Sequence, residues 1–215
     1  MSDGERILYL ARHGETEWNR IGRWQGTTDV PMSDAGRLQA RALAERLLPL
    51  GVARVHASHL ARALETAQIV AAHLGLPAPA VDPRLRERGY GVFEGLTREE
   101  CAERYPDAWE RYLADRRAVP PEAEPPVEVV SRITAALHAL ATADSAATTS
   151  GGVTVSAPGP VLVISHGGAI RSFIHGSFGV MPPPVANGAV YRVHFEAGVF
   201  VAADELPALP AGGAQ

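Results

Sequence analysis

The chain has 215 residues, 46% of them apolar, and a formal net charge of −4. That is enough for one sizeable core, without a length that forces two domains. Its arginines are scattered among Asp and Glu, with no basic block to follow a nucleic-acid backbone, and no apolar run approaches a bilayer span. Nucleic-acid and membrane partners are therefore not expected.

The opening MSDGER lacks a basic segment followed by an apolar one, so a cytoplasmic location is expected. Ile7 to Ala11 then form the kind of short apolar run that is buried on both faces of a parallel sheet. At Arg12 and His13 the chain turns polar, at the carboxyl end of a strand, where an open α/β sheet places its ligands. Residues 33–51 predict a helix with Ser33 as N-cap and Gly51 as stop, and 53–58 predict a second strand. Ser58 is expected to cap a helix that carries Arg62 in its first turn, ends at Gly75, and lends free N–H groups and dipole potential to a site.

The stretch VDPRLRERGYGVFEGLT (81–97) has few apolar residues and reads as a working loop. It leads into helical patterns over 97–105 and 107–117, and a proline cluster (120–126) precedes a longer helix over 127–143. Residues 87–125 are thus expected to form a helical lid inserted over a site. The small, polar stretch 144–159 is expected to be a flexible connector without function. PVLVISHGGAIRSFIHG (160–176) then repeats the opening pattern of buried strand, His-Gly and helix. Residues 189–203 predict a hairpin around Ala197-Gly198, and about 205–215 a disordered tail. Together these predict a single α/β domain over 1–215, a sheet with helices on both faces.

Two strands that each end in His-Gly, at His13 and His166, are brought together by a doubly wound sheet. Arg12 and Arg62 then share their cleft, and two planar guanidinium forks suit a phosphate dianion that a net-negative protein otherwise repels. A neutral His attacks phosphorus through one ring nitrogen while a hydrogen bond to the other fixes the tautomer. Glu87, in RLRERGYG, is the choice for a carboxyl group that protonates the leaving alkoxide and then takes a proton from water.

The motifs RHGETEWN, GRWQGTTDVPMSDAGRLQA, SHLARALETA, RLRERGYGVFEGLT and VISHGG occur in this order between Ile7 and about Tyr191. In them the sequence resembles the histidine phosphatase superfamily, in the branch of the cofactor-dependent phosphoglycerate mutases and small-molecule phosphatases. The resemblance implies a phosphoglycerate mutase-like three-layer α/β/α fold with a mostly parallel central sheet. It implies His13 as the phosphorylated nucleophile, Arg12, Arg62 and His166 around the transferring phosphoryl group, and Glu87 as proton donor. Asn19 and the Gly167 backbone match phosphate contacts, Gln25 and Gly26 a substrate-side loop, and Tyr90 and Arg98 the substrate end. No metal or organic cofactor is implied, and the partner is a small phosphorylated metabolite.

The expected activity is metal-independent hydrolysis of small phosphomonoesters. A phosphoglycerate mutase is the alternative, and a non-catalytic phospho-ligand binding module a third reading. Gly168 stands where mutases typically carry Asn, removing one substrate contact, whereas Arg116 and Arg117 resemble a mutase pair. The bland readings are a solvated helix face for Arg98, Arg116 and Arg117, packing under the lid for Tyr90, and helix packing for Gly36 and Gln39. Trp18 and Trp24 fit a pocket wall or a core equally, and His56, His59, His175 and His194 lack motif support. A zinc site at His13 and His166 is opposed by the nearby arginines. Cys101 reads as a bystander thiol, and the oligomeric state stays open, a homodimer among the options.

Overall fold

The computed structural model describes residues 5–115, 118–143, 148–150, 153–155 and 159–207. The chain enters through β1 (Arg6–Arg12), a single turn α1 (Glu17–Arg20), α2 (Asp34–Leu47), β2 (Arg54–Ala57), α3 (Ala61–His73) and a short β3 (Ala80–Val81). Two lid helices follow, α4 (Arg98–Arg104) and α5 (Pro106–Ala114), then α6 (Pro126–Thr142). After β4 (Thr148–Ser150) and β5 (Val153–Val155) come β6 (Val161–Ser165), α7 (Gly167–Phe178), β7 (Val190–Glu196) and β8 (Val199–Glu205).

The main sheet has six strands in the order β3-β2-β6-β1-β7-β8. Its first four strands run parallel, and β7 and β8 pair antiparallel at one edge. Apolar alternation in the two central strands explains why both faces are covered. Leu8, Leu10, Val161 and Val163 pack toward α6 and α7, whereas Tyr9, Ala11, Leu162 and Ile164 pack toward α2 and α3. This is the three-layer α/β/α arrangement expected from the sequence.

Several boundaries differ in instructive ways. Ser33 caps α2 as expected, its Oγ accepting from Gly36 N at 3.1 Å. Ser58 does not cap α3. The N-cap position is Leu60, and the Asp29 carboxylate, from a distant loop, accepts the Ala61 N–H at 2.7 Å. One of the N–H groups expected to face a ligand is therefore already committed, a tertiary contact that local spacing does not encode. The connector expected over 144–159 lies largely outside the described residues, but β4 and β5 within it form a two-stranded antiparallel ladder. The tail from 208 and the pair Arg116 and Arg117 also lie outside the described residues.

The lid segment closes on itself at its base. Glu124 N donates to Gly89 O at 2.9 Å and Val92 N to Pro121 O at 3.1 Å. Above this base the segment has its own apolar cluster, in which Phe93, Cys101, Trp109 and Tyr112 are buried and Trp24 and Tyr90 pack against them. Burial pushes the Cys101 thiol up to about 11, which keeps it protonated and inert. Among the described residues no helix is long and apolar enough to cross a membrane.

The loop after β1 is held by direct backbone contact with α2. A Cβ on Gly36 would run into the Glu15 carbonyl and stand 2.5 Å from Met32 Cγ, and one on Gly14 would stand 2.7 Å from Met32 Sδ. Gln39 Oε1 accepts Glu15 N at 2.8 Å, and Thr66 Oγ1 accepts Gly14 N at 3.0 Å. Gly36→Ala therefore overpacks this crossing and is expected to destabilise the protein by roughly 1–3 kcal/mol. Urea denaturation checks this, and an unchanged midpoint would mean that the crossing yields without strain.

Candidate active site

Parallel pairing sets the position of the two histidines. β1 and β6 are in register with Arg12 opposite Ser165, so the next residues, His13 and His166, lie side by side with ring centroids 5.0 Å apart. His13 N also donates to Ser165 O at 3.0 Å, extending the ladder by one bond. The His13 Nδ1–H donates to the Gly14 carbonyl at 2.6 Å, since that carbonyl only accepts. The tautomer is thereby fixed, and Nε2 keeps its lone pair.

Both rings are buried, and both have pKa values held well below the usual histidine range. For His13 the causes are burial, then the Arg12 and Arg62 charges; for His166 they are burial, then Arg62, His13 and Arg12. Both are therefore neutral at pH 7. Arg62 is fully buried at the start of α3, where its terminal nitrogens donate to Thr28 O (2.9 Å) and Gly26 O (2.8 Å). Arg12 donates to Val185 O at 2.6 Å. Burial lowers the pKa of each guanidinium, and both stay cationic. Left over are the Nε atoms of Arg12 and Arg62 and both ring nitrogens of His166, buried and without a hydrogen-bond partner. Such groups are costly unless a ligand completes them.

Glu87 is buried across from these groups and takes the place of a side-chain cap on α7. Its Oε2 accepts Gly168 N at 2.9 Å, and its Oε1 accepts Ala169 N and Arg88 N, both at 2.8 Å. The sequence treats Gly168 as a missing substrate contact, but the structure gives it another role. A Cβ there would stand 2.6 Å from both Glu87 Oε1 and the Tyr90 hydroxyl, so only glycine lets these two groups approach the helix.

These residues border a cavity of about 520 Å³. Arg12, His13, Arg62, Glu87, Asn19, Gln25, Gly26, Tyr90, Arg98 and Gly167 all line it, so the structure brings together every sequence-predicted site residue except His166, which lies fully buried against His13. Asn19 Oδ1 accepts from Thr16 N, Thr16 Oγ1 and Asn187 Nδ2, so its amide nitrogen is the group left to donate to a ligand. Trp18 and Trp24 both border the cavity, and Trp24 also packs against Tyr90 in a tilted arrangement with centroids 4.6 Å apart. His56, His59, His175 and His194 do not line it. Among the described residues no group of three or more His, Cys, Asp or Glu could hold a metal ion.

Two positioning residues escape the sequence reading. Asn187 Nδ2 donates to His13 O at 3.0 Å as well as to Asn19, tying the β1 loop to the segment before β7. Glu94, in the lid, accepts Thr27 N (3.0 Å), Thr28 N (3.0 Å) and Tyr90 N (2.9 Å), and so fixes the loop whose carbonyls hold Arg62. The only signal for Glu94 was its place in the quoted GVFEGLT stretch; for Asn187 there was none.

The family model for the histidine phosphatase superfamily (branch 1) matches residues 8–204. A phosphoglycerate mutase-like protein 4 from Arabidopsis thaliana is 36% identical over 177 residues, covering 79% of this chain and 72% of that protein. A glucosyl-3-phosphoglycerate phosphatase from Mycolicibacterium vanbaalenii is 35% identical over 185 residues, 86% of this chain and 78% of that one. In three dimensions, a mycobacterial glucosyl-3-phosphoglycerate phosphatase solved with VO3 superposes with a TM-score of 0.72 at 29% identity, covering 87% of this chain and 90% of that structure.

Two outcomes follow from this geometry. Because the folded-state pKa values of His13 and His166 lie below the unfolded value near 6.5, the unfolded chain binds more protons on acidification. Their contribution to stability is complete above about pH 6.5 and is lost as pH falls toward the folded values, by about 1.4 kcal/mol per pH unit for each ring. Denaturation of the wild type and His166→Ala across this range should show a shallower acid loss in the variant; parallel curves would contradict neutral burial. Glu94→Ala leaves the loop N–H groups without their acceptor, and calorimetry with inorganic phosphate should show binding roughly tenfold weaker. Equal affinity would mean that Arg62 is held without Glu94.

Proposed function

This chain belongs to the histidine phosphatase superfamily (branch 1), and we propose that it removes the phosphoryl group from small phosphomonoesters by way of a phosphohistidine at His13. The observation that carries this reading is the meeting of unpartnered buried donors with a neutral nucleophile. Arg12 Nε, Arg62 Nε and both His166 ring nitrogens are buried without a partner, and the His166 ring lies against His13, whose Nε2 keeps its lone pair. A tetrahedral oxyanion supplies acceptors to all of them, and the two guanidinium charges balance a phosphate dianion.

In the first step His13 Nε2 forms a bond to phosphorus as the ester P–O bond breaks, and Glu87 gives its proton to the departing oxygen. Oε2 is the carboxylate atom suited to carry that proton, since it accepts one backbone hydrogen bond where Oε1 accepts two. In the second step water attacks phosphorus, the N–P bond breaks, and Glu87 takes the proton from water. Inorganic phosphate leaves, and both groups return to their starting states. The relatives named as phosphatases support hydrolysis. The mutase alternative, in which a second hydroxyl replaces water, is favoured by no contact described here: the space at Gly168 is taken by Glu87 and Tyr90.

The test is phosphate release from a panel of phosphomonoesters in the presence of a chelator. Wild-type protein should turn over part of the panel, His13→Ala should be silent, and Glu87→Gln should lose about 10²–10⁴-fold in kcat. An acid-labile phosphoenzyme should form in the wild type and be absent from His13→Ala. No phosphate release, with transfer of the phosphoryl group to a second hydroxyl only after addition of a bisphosphorylated primer, would move the assignment to a mutase. Equal activity in wild type and His13→Ala would overturn the nucleophile.

A further inference from the structure

The cavity wall carries a cation that neither the phosphoryl site nor an ion pair among the described residues uses. Arg171 is half-buried on α7 and lines the cavity. Its Nε donates to Pro182 O at 3.1 Å, which fixes the arm, while its terminal nitrogens have no partner among the described residues. No carboxylate among the described residues pairs with it.

Helix geometry says where that free fork lies relative to the phosphoryl site. Gly168 and Gly167 stand three and four residues before Arg171, so each of them neighbours Arg171 on the surface of α7. Four residues of helix advance about 6 Å along the axis, and helical side chains lean back toward the N-terminus. Arg171 thus stands on the cavity wall about one helical turn beyond the two glycines, with Arg12 beside Gly167 and with Glu87 and Tyr90 filling the space at Gly168. The cavity of about 520 Å³ exceeds what a phosphoryl group fills, and Trp18, Ile21, Pro184 and Val185 give its wall an apolar part. Arg12 and Arg62 are already matched to the phosphoryl dianion, and Glu87 is bound to backbone N–H groups; of the two remaining cavity-lining cations without a carboxylate partner among the described residues, Arg98 and Arg171, Arg171 is the one whose arm a hydrogen bond fixes.

We propose that Arg171 is a specificity-determining residue that binds a second anionic group, a carboxylate or a second phosphate, on the organic part of the phosphomonoester. This rests on the reading of the site as a phosphoryl site. The guanidinium presents its terminal N–H donors to such a group, and the substrate spans the cavity with one anion at each end. Neutral phosphomonoesters of the same length lack the partner for this fork and bind less well.

The experiment uses 3-phosphoglycerate and glycerol 3-phosphate, which differ in a carboxylate against a hydroxymethyl group. Their affinities are measured by calorimetry with full-length His13→Ala, which does not turn them over, and with His13→Ala carrying Arg171→Met or Arg171→Lys. The carboxylate ligand should bind at least about tenfold more tightly than its neutral match. Arg171→Met should bring the ratio close to 1, and Arg171→Lys should restore part of it as a point charge. If Arg171→Met fails a thermal-melt check, Arg171→Gln replaces it. Equal affinities with Arg171 present, a ratio that survives its replacement, or no binding of either ligand would each overturn the proposal. Wild-type hydrolysis is measured separately on both compounds. Hydrolysis without an Arg171-dependent preference leaves the phosphatase reading standing and ends this one; a preference in binding without hydrolysis does the reverse.

Discussion

The parallel pairing of β1 with β6, with Arg12 opposite Ser165, is the constraint on which the rest of the site depends. A parallel ladder delivers two strand ends to the same edge of the sheet, and here each end carries His-Gly. A shift of one residue would face the apolar side chains of β6 to the wrong layer, because its buried residues alternate between two separate cores. Core packing therefore fixes the separation of the two imidazoles. Burial in the same sheet keeps them neutral, so the fold sets the protonation state as well as the position.

Around that edge, carboxylates act as ties between elements. Glu124 makes a two-point ion pair with Arg132 of α6, at 2.7 and 2.8 Å, and also accepts from Arg86 and Gly89 N. Burial favours its neutral form, but Arg132, the Gly89 hydrogen bond and Arg86 together hold its pKa below the usual carboxylate range. Arg132 in turn donates to the carbonyls of Arg84, Arg86 and Glu87, so the backbone of the proton-donor residue is braced from α6. Glu94 plays the matching part on the other side, joining the lid to the loop that holds Arg62. Each of these carboxylates is met by several donors, the condition under which such groups are tolerable in an interior.

What was legible in the sequence follows from how local each signal is. The strand at Ile7 to Ala11, the helix capped by Ser33 and the turn at Ala197-Gly198 are written in runs of a few residues, and all three are present. The predicted site residues that line the cavity were legible because they sit at strand ends and in motifs, whereas Arg171, which also lines it, sits inside a helix pattern that does not mark it. Ser58 misled because its hydroxyl suits a cap, while Asp29, over thirty positions away in the chain, fills that role. Asn187 and Glu94 were silent for the same reason: their work is to join segments distant in sequence. Gly168 shows a third kind of limit, since a missing side chain reads as an absence until the groups that occupy its space are known.

The lid has its own aromatic cluster and a base stitched by the Gly89 and Glu124 backbones, so its packing is largely independent of the sheet. A segment built this way can open as a local unit at a free-energy cost well below that of unfolding the whole domain. It can also change its surface residues without disturbing the strand register beneath it. Substitutions on the outer face of this cluster can thus accumulate without reaching the two histidines, which leaves the surface above the site open to drift while the strand edge beneath it keeps its arrangement.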